Sequence, residues 1–211
     1  MQINIDKKSG IFITIIVILL VIIGALFLGQ GMRHHDDNRS HHMDRDSGMS
    51  MNNPESNGPT SFQGNDIMFA QMMIPHHEQA VEISDVALLT SKNPEVLTLA
   101  KAIRDAQTPE ILQMKAWLTQ THSSSEMGHS MDGDMGGMLS EGEVSTLKSA
   151  SGSAFDKLFL AGMIAHHEGA IHMTMMIKDS NSPEVKNLGE SIVSSQTAQI
   201  VLMKEILTRI P

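Results

Sequence analysis

Apolar residues recur at helical spacing through two long stretches of the chain. On a wheel of 100° per residue, Phe69, Met73, His76, His77, Ala80, Ile83 and Ala87 share one face, with Glu78, Glu82 and Asp85 opposite. Phe159, Met163, His166, His167, Ala170, Met173 and Ile177 repeat that stripe, and His172 falls outside it. Asn93-Pro94-Glu95 and Ser182-Pro183-Glu184 each supply an N-cap, a proline at the first helical position and a first-turn acid. Each therefore opens a second helix. Ser140-x-x-Glu143 predicts a short extra helix through Lys148, and Ser153-x-x-Asp156 predicts a capping-box start. Pro75 and Pro109 lie inside helical patterns and predict a kink or break in each. A different pattern fills Ile11 to Leu28, an unbroken uncharged run. As a helix it spans roughly 27 Å, enough to cross a bilayer core.

The two stripes belong to a duplication. DIMFAQMMIPHHEQAV from Asp66 matches DKLFLAGMIAHHEGAI from Asp156. Downstream, Gln107, Ile111, Met114, Lys115 and Leu118 recur as Gln196, Ile200, Met203, Lys204 and Leu207. A unit of about ninety residues is too long for a solenoid repeat. Two copies of a helical hairpin closing one four-helix bundle is the simplest all-α architecture. The expected organisation is a cytoplasmic N-terminus (1–10), a transmembrane helix (11–29), a disordered Met/His-rich linker (30–64) and the bundle (65–211). The bundle carries a Met/Gly/His-rich loop at 122–139. Lys7 and Lys8 before the apolar run keep the N-terminus inside and place the bundle outside the cytoplasm. A cleaved signal peptide would place it there too, but the run is long for one and no A-x-A-like site follows.

Composition narrows the chemistry. Lys and Arg number 15 against 24 Asp and Glu, a net charge of −9, which argues against nucleic acid as a partner. Cysteine is absent, so disulfides, thiolate zinc sites, iron–sulfur clusters and Cys nucleophiles are excluded. With six Phe, one Trp and no Tyr, the chain is poor in the aromatics of β-sandwiches and barrels. Met (18) and His (11) are both in excess, and they supply the soft thioether and the imidazole. Some of that excess lies in the polar tracts: His34-His35, His41-His42-Met43, His122, Met127, His129, Met131, Met135 and Met138 read as loose metal-capturing segments.

Within the bundle, each hairpin offers two inward His, at least one inward Met and an inward Gln. Burying such groups costs free energy unless they are paired or ligated. One core His is more often a hydrogen-bonded structural residue; adjacent pairs flanked by Met, occurring twice, favour ligation. The candidate metal ligands are Met73, His76, His77, Met163, His166, His167 and Met173, with Met114 and Met203 readable as ligands or as core filler. Gln107 and Gln196 are expected to orient the imidazoles by hydrogen bonds. Imidazole plus thioether, with few inward carboxylates, suits Cu(I) best, and Ag(I) shares that chemistry. A di-iron bundle would need about four Glu facing inward. His167-Glu168-Gly169-Ala170-Ile171-His172 is one residue too long for a zinc protease motif. No phosphate loop or nucleophile elbow is present.

The doubled Met-Ile-x-His-His pattern, in MIPHHEQAV and MIAHHEGAIHM with their downstream Gln and Met, resembles the domain-of-unknown-function 305 family. That family includes CopM-like copper-binding proteins. The resemblance covers about residues 65–211. It implies a ferritin-like four-helix bundle, an exported location and a role in copper binding or resistance. It also implies His76, His77, Met73, His166, His167, Met163 and Met173 as ligands. The Met seven residues after the first His is Met173 in the second unit but Ile83 in the first, which points to a weaker first site or to one that borrows Met72 or Met114. The expected function is extracytoplasmic Cu(I) binding for sequestration, tolerance or delivery to a copper-transport or acceptor protein, without catalysis. Its rivals are a metal-dependent oxidase and a structural module whose His pairs bond only to protein groups.

Overall fold

Helix signals of the local kind are realised in the computed structural model, which describes residues 62–125 and 136–211. The apolar run from Ile11 to Leu28, the tract that follows it, and Met127, His129, Met131 and Met135 lie outside the described residues. Five α-helices are formed: α1 (Gly64–Thr90), α2 (Pro94–Gln120), α3 (Glu141–Ser149), α4 (Gly152–Met173) and α5 (Pro183–Arg209). A 3-10 turn, Thr174–Ile177, extends α4. Among the described residues there is no strand and no helix long and apolar enough to cross a membrane.

The two proline-initiated helices start alike. The Glu95 N–H donates to Asn93 Oδ1 at 2.9 Å, and the Val185 N–H to Ser182 Oγ at 3.5 Å. One turn earlier, Ser91 Oγ and Ser180 Oγ accept from the N–H groups of Asn93 and Ser182, both at 3.1 Å. Ser140 and Glu143 form the expected capping box on α3. The box expected from Ser153 and Asp156 does not form. Helix α4 begins earlier, with Ser151 as N-cap, and the Asp156 carboxylate instead accepts from Ser91 Oγ at 2.6 Å, tying α4 to the α1–α2 turn. Its repeat mate Asp66 does cap, accepting from the Gln63 N–H at 2.8 Å. Pro75 and Pro109 break nothing: α1 and α2 run continuously through them.

Helix α1 packs along α2, and α4 along α5. Contacts of α1 with α4 and of α2 with α5 close the bundle. Its core falls into two apolar clusters. One joins Ala80, Ile83 and Ala87 of α1 to Phe155, Phe159 and Met163 of α4, with Val96, Leu99 and Ile103 of α2 and Ile200, Met203 and Ile206 of α5. The other joins Phe69, Met73 and Ile74 of α1 to Ala170, Met173 and Ile177 at the far end of α4, with Met114 and Trp117 of α2 and Val185, Leu188 and Ile192 of α5. The late part of α1 thus meets the early part of α4, so these helices run antiparallel. Phe69, Phe155 and Phe159 are fully buried, each stabilising the fold by about 1.5–3 kcal/mol. On the surface, Lys115 bridges Glu78 at 2.7 Å and Lys204 bridges Glu168 at 3.2 Å, the same pair in each hairpin. Exposed pairs of this kind contribute under about 1 kcal/mol each, so they mark the register rather than hold it.

The segment returning from the Met/Gly/His-rich loop is docked on the bundle. A Cβ on Gly169 would lie 1.5 Å from the Gly136 carbonyl oxygen, and one on Gly137 would lie 2.1 Å from that of Ala165. Gly136 and Gly137 hold positive φ angles of 31° and 83°. Backbone lies directly on backbone here, so Gly169→Ala is expected to lower stability by about 1–3 kcal/mol, as overpacking does. Gly142→Ala in α3, where nothing lies within 4 Å, serves as the control and is expected to leave the melting temperature unchanged or raised. Thermal denaturation of the two variants checks the contrast.

Candidate metal centre

Between the two apolar clusters lies a polar layer. His76 and His77 from α1 and His166 and His167 from α4 are all 0% exposed, and Gln107 of α2 and Gln196 of α5 are buried beside them in sequence register. The 3.6-residue period puts both members of each His pair inward because adjacent positions straddle the centre of the apolar stripe. Glu78, Glu82, Asp85, Glu168 and His172 are exposed, as the wheel requires. The His76 and His166 rings meet with centroids 3.7 Å apart, and each lies 6.3 Å from its chain neighbour's ring.

Three imidazoles are held by one nitrogen only. His76 Nε2 donates to the Gly136 carbonyl at 3.1 Å, so the docked loop reaches the layer itself. His77 Nε2 bonds Glu110 Oε2 at 2.9 Å, and His167 Nε2 bonds Gln199 Oε1 at 2.6 Å. The Nδ1 atoms of His76, His77 and His167, and both ring nitrogens of His166, are buried without a hydrogen-bond partner. Both polar side-chain atoms of Gln107 and of Gln196 are equally unpartnered. The expectation that these two glutamines orient the imidazoles therefore fails. Helix α2 presents Glu110 and α5 presents Gln199 to the rings, each three residues beyond the glutamine and one turn further along the same face. Glu110 is the imidazole partner that pattern reading passed over, yet it stands seven residues after Ile103 and four before Met114, on the apolar stripe.

Burial disfavours the charged form of His76, His166 and His167. Desolvation is the largest cause for each affected ring: it pushes His76 down to about 3 and His167 to about 4 from an ordinary value of 6.5, and holds His166 well below that value. The hydrogen bonds to Gly136 and Gln199 oppose the shift, and the neighbouring imidazoles add to it. A neutral imidazole with a bare buried nitrogen has a lone pair that a metal ion could accept.

The thioethers flank the layer from both sides. Met73, Met114 and Met173 share one apolar cluster, and Met163 and Met203 share the other; all five are buried. Because α1 and α4 are antiparallel, Met173 lies with the first unit's methionines, while Ile83 lies with Met163 and Met203. The half poor in sulfur is the one around Met163, not the one around Met73. Among the described residues no three His, Asp or Glu side chains gather as a ready metal cage. Besides the imidazoles, the layer is touched by the Glu110 and Gln199 oxygens, and the two apolar clusters next to it carry the thioethers.

Similar bundles occur in other proteins. A fragment of a DUF305 protein from Deinococcus radiodurans superposes with a TM-score of 0.66 at 32% identity, covering 71% of this chain and 99% of that one. A DUF305 protein of Streptomyces coelicolor, described as secreted, gives 0.65 at 29% identity, covering 69% and 93%. CopM in its Cu(II)-bound form gives 0.60 at 33% identity, covering 68% and 96%, and CopM has also been solved with Cu(I), with silver and in the apo form. Among curated proteins none matches. The family model for the domain of unknown function DUF305 matches residues 66–207. The chain belongs to the DUF305 family.

Proposed function

We propose that this protein binds Cu(I) in its helical bundle, for sequestration, tolerance or delivery. The observation that carries the reading is the buried layer of four imidazoles with unpartnered nitrogens, set between two groups of methionine thioethers. Leaving buried polar atoms unmatched costs about 1–3 kcal/mol each, which a bound ion would relieve. Thioether is a soft donor and imidazole a borderline one that copper also accepts, so their combination favours Cu(I) over the harder divalent ions. Silver(I) is taken by the same rule. The copper-bound and silver-bound forms of CopM support this reading, since its bundle resembles the one here.

The ligand candidates are His76, His77, Met73, Met114 and Met173 toward one end of the layer, and His166, His167, Met163 and Met203 toward the other. Binding and release suffice for the role, and no catalytic step is required of it. The rest of the chain fits an extracytoplasmic protein held by a ferritin-like bundle's N-terminal anchor: Ile11–Leu28 would span the membrane, and the Met/His tracts would collect ions for the bundle or pass them to an acceptor protein.

An anaerobic Cu(I) titration against a chromophoric competitor tests the reading, with the His76/His77 and His166/His167 double alanine variants beside the wild type. The expected result is tight binding lost in steps, one with each pair. Copper at a hundredfold excess over Kd is expected to add about 2.7 kcal/mol of stability to the wild type. Equal competition by all three proteins would reject the bundle as the site.

Protons compete with copper for the same nitrogens, and the sign of the effect follows from burial. The folded-state values of His76 and His167, about 3 and about 4, lie below the unfolded value of 6.5, so the unfolded chain takes up protons first. Metal-free stability is expected to be level above pH 6.5 and to fall between there and pH 3 to 4. Each such imidazole contributes a slope of up to about 1.4 kcal/mol per pH unit. Urea unfolding across that window checks it; a pH-independent midpoint would contradict neutral buried rings.

A further inference from the structure

The two hairpins are not chemically equal at the one place where both touch their imidazoles. Glu110 and Gln199 occupy matching positions of the duplication, each directly before the isoleucine of the pair Ile111 and Ile200. Each accepts from the Nε2 of the second His of its hairpin, at 2.9 Å from Glu110 and 2.6 Å from Gln199. Glu110 is buried, with its side chain 8% exposed against a fully buried His77. Resting on the copper-binding reading, we infer that Glu110 and Gln199 are positioning residues that present Nδ1 of His77 and His167 as the copper-binding atoms and tune the two halves to different copper charge states.

The argument starts from what each acceptor can do. A carboxylate or carbonyl oxygen can only accept, so the proton of the ring must sit on Nε2. A proton on Nδ1 would find no acceptor, because that atom is buried and unpartnered in both rings. The lone pair is therefore on Nδ1, facing away from the acceptor. His76, whose Nε2 donates to the Gly136 carbonyl, is fixed in the same tautomer by backbone.

The acceptors then differ in charge. A carboxylate behind an imidazole strengthens the ring as a donor and adds negative charge to the site, and changing such a partner typically alters metal affinity 10- to 100-fold. Negative charge favours the more highly charged ion. Glu110 thus shifts the His77 half toward Cu(II), against the pull of the three thioethers there, while the neutral amide of Gln199 leaves the His167 half without such a shift. Glu110 is the only Asp or Glu that the described residues bring within hydrogen-bond distance of the four imidazoles, so the difference is carried by this one position.

Swapping the acceptors tests the assignment with little steric change. Full-length protein labelled with 15N-histidine and free of metal is examined by two-bond 1H–15N spectra; His77 and His167 are expected in the Nε2–H form, and E110L is expected to release His77 from it. Cu(I) and Cu(II) affinities are then measured for wild type, E110Q and Q199E. E110Q keeps an accepting oxygen and is expected to retain the tautomer and Cu(I) affinity while weakening Cu(II) binding about tenfold, equivalent to about 59 mV in midpoint potential. Q199E is expected to strengthen Cu(II) binding by a similar factor. An Nδ1–H tautomer in metal-free protein overturns the assignment even if copper binds tightly. Equal changes in Cu(I) and Cu(II) affinity overturn the charge-state tuning and leave the functional reading intact. Failure of both ions to bind the wild type overturns that reading, and the charge-state tuning with it.

Discussion

Everything in this bundle is arranged around the cost of removing imidazoles from water. Four of them lie in one layer, with apolar clusters on either side that leave no route for solvent to satisfy them. The bundle compensates only in part. It supplies one hydrogen bond to each of three rings and leaves a nitrogen of each without a partner. A core selected for stability alone would place leucine or alanine here. The layer therefore reads as a concentration of buried atoms left without hydrogen-bond partners.

The surrounding structure serves to hold that layer still. Continuous helices through Pro75 and Pro109 keep the rings in fixed register, and two serine-assisted turns set the angle at which α2 and α5 return. The glycine contact between the docked loop and α4 then brings a backbone carbonyl to His76, a position no side chain needed to fill. Rigid elements position ligands more closely than loops do, and here even the loop contribution is clamped by backbone packing.

Much of this was legible in the sequence where the signal was local. The proline-led helix starts, the short capped helix at Ser140 and the inward aspect of both His pairs follow from one turn of helix or less. What escaped were facts that need a second helix. Asp156 was a plausible cap until Ser91 competed for it across the bundle. The unit to which Met173 contributes depends on α4 running against α1, which no wheel of α4 alone can tell. Glu110 is the instructive case: its spacing placed it on the apolar face, but a carboxylate there looks like an edge residue until its His77 partner is seen. Gln107 and Gln196 show the reverse, since buried position alone did not give them a hydrogen bond.

The contact between His76 and His166 has one further meaning. They are the same residue of the two repeat units, and their rings meet at 3.7 Å. In an assembly with two-fold symmetry, a residue touches its own copy only near the axis. The present chain thus has the form of two hairpins associated face to face, with the axis running through its imidazole layer. A single hairpin would own neither complete apolar cluster, because each cluster draws on both. An ancestral hairpin of this kind would have had to work as a homodimer with identical halves. Joining the halves into one chain freed them to differ, and Met173 against Ile83 and Glu110 against Gln199 are differences that a symmetric dimer could never have encoded.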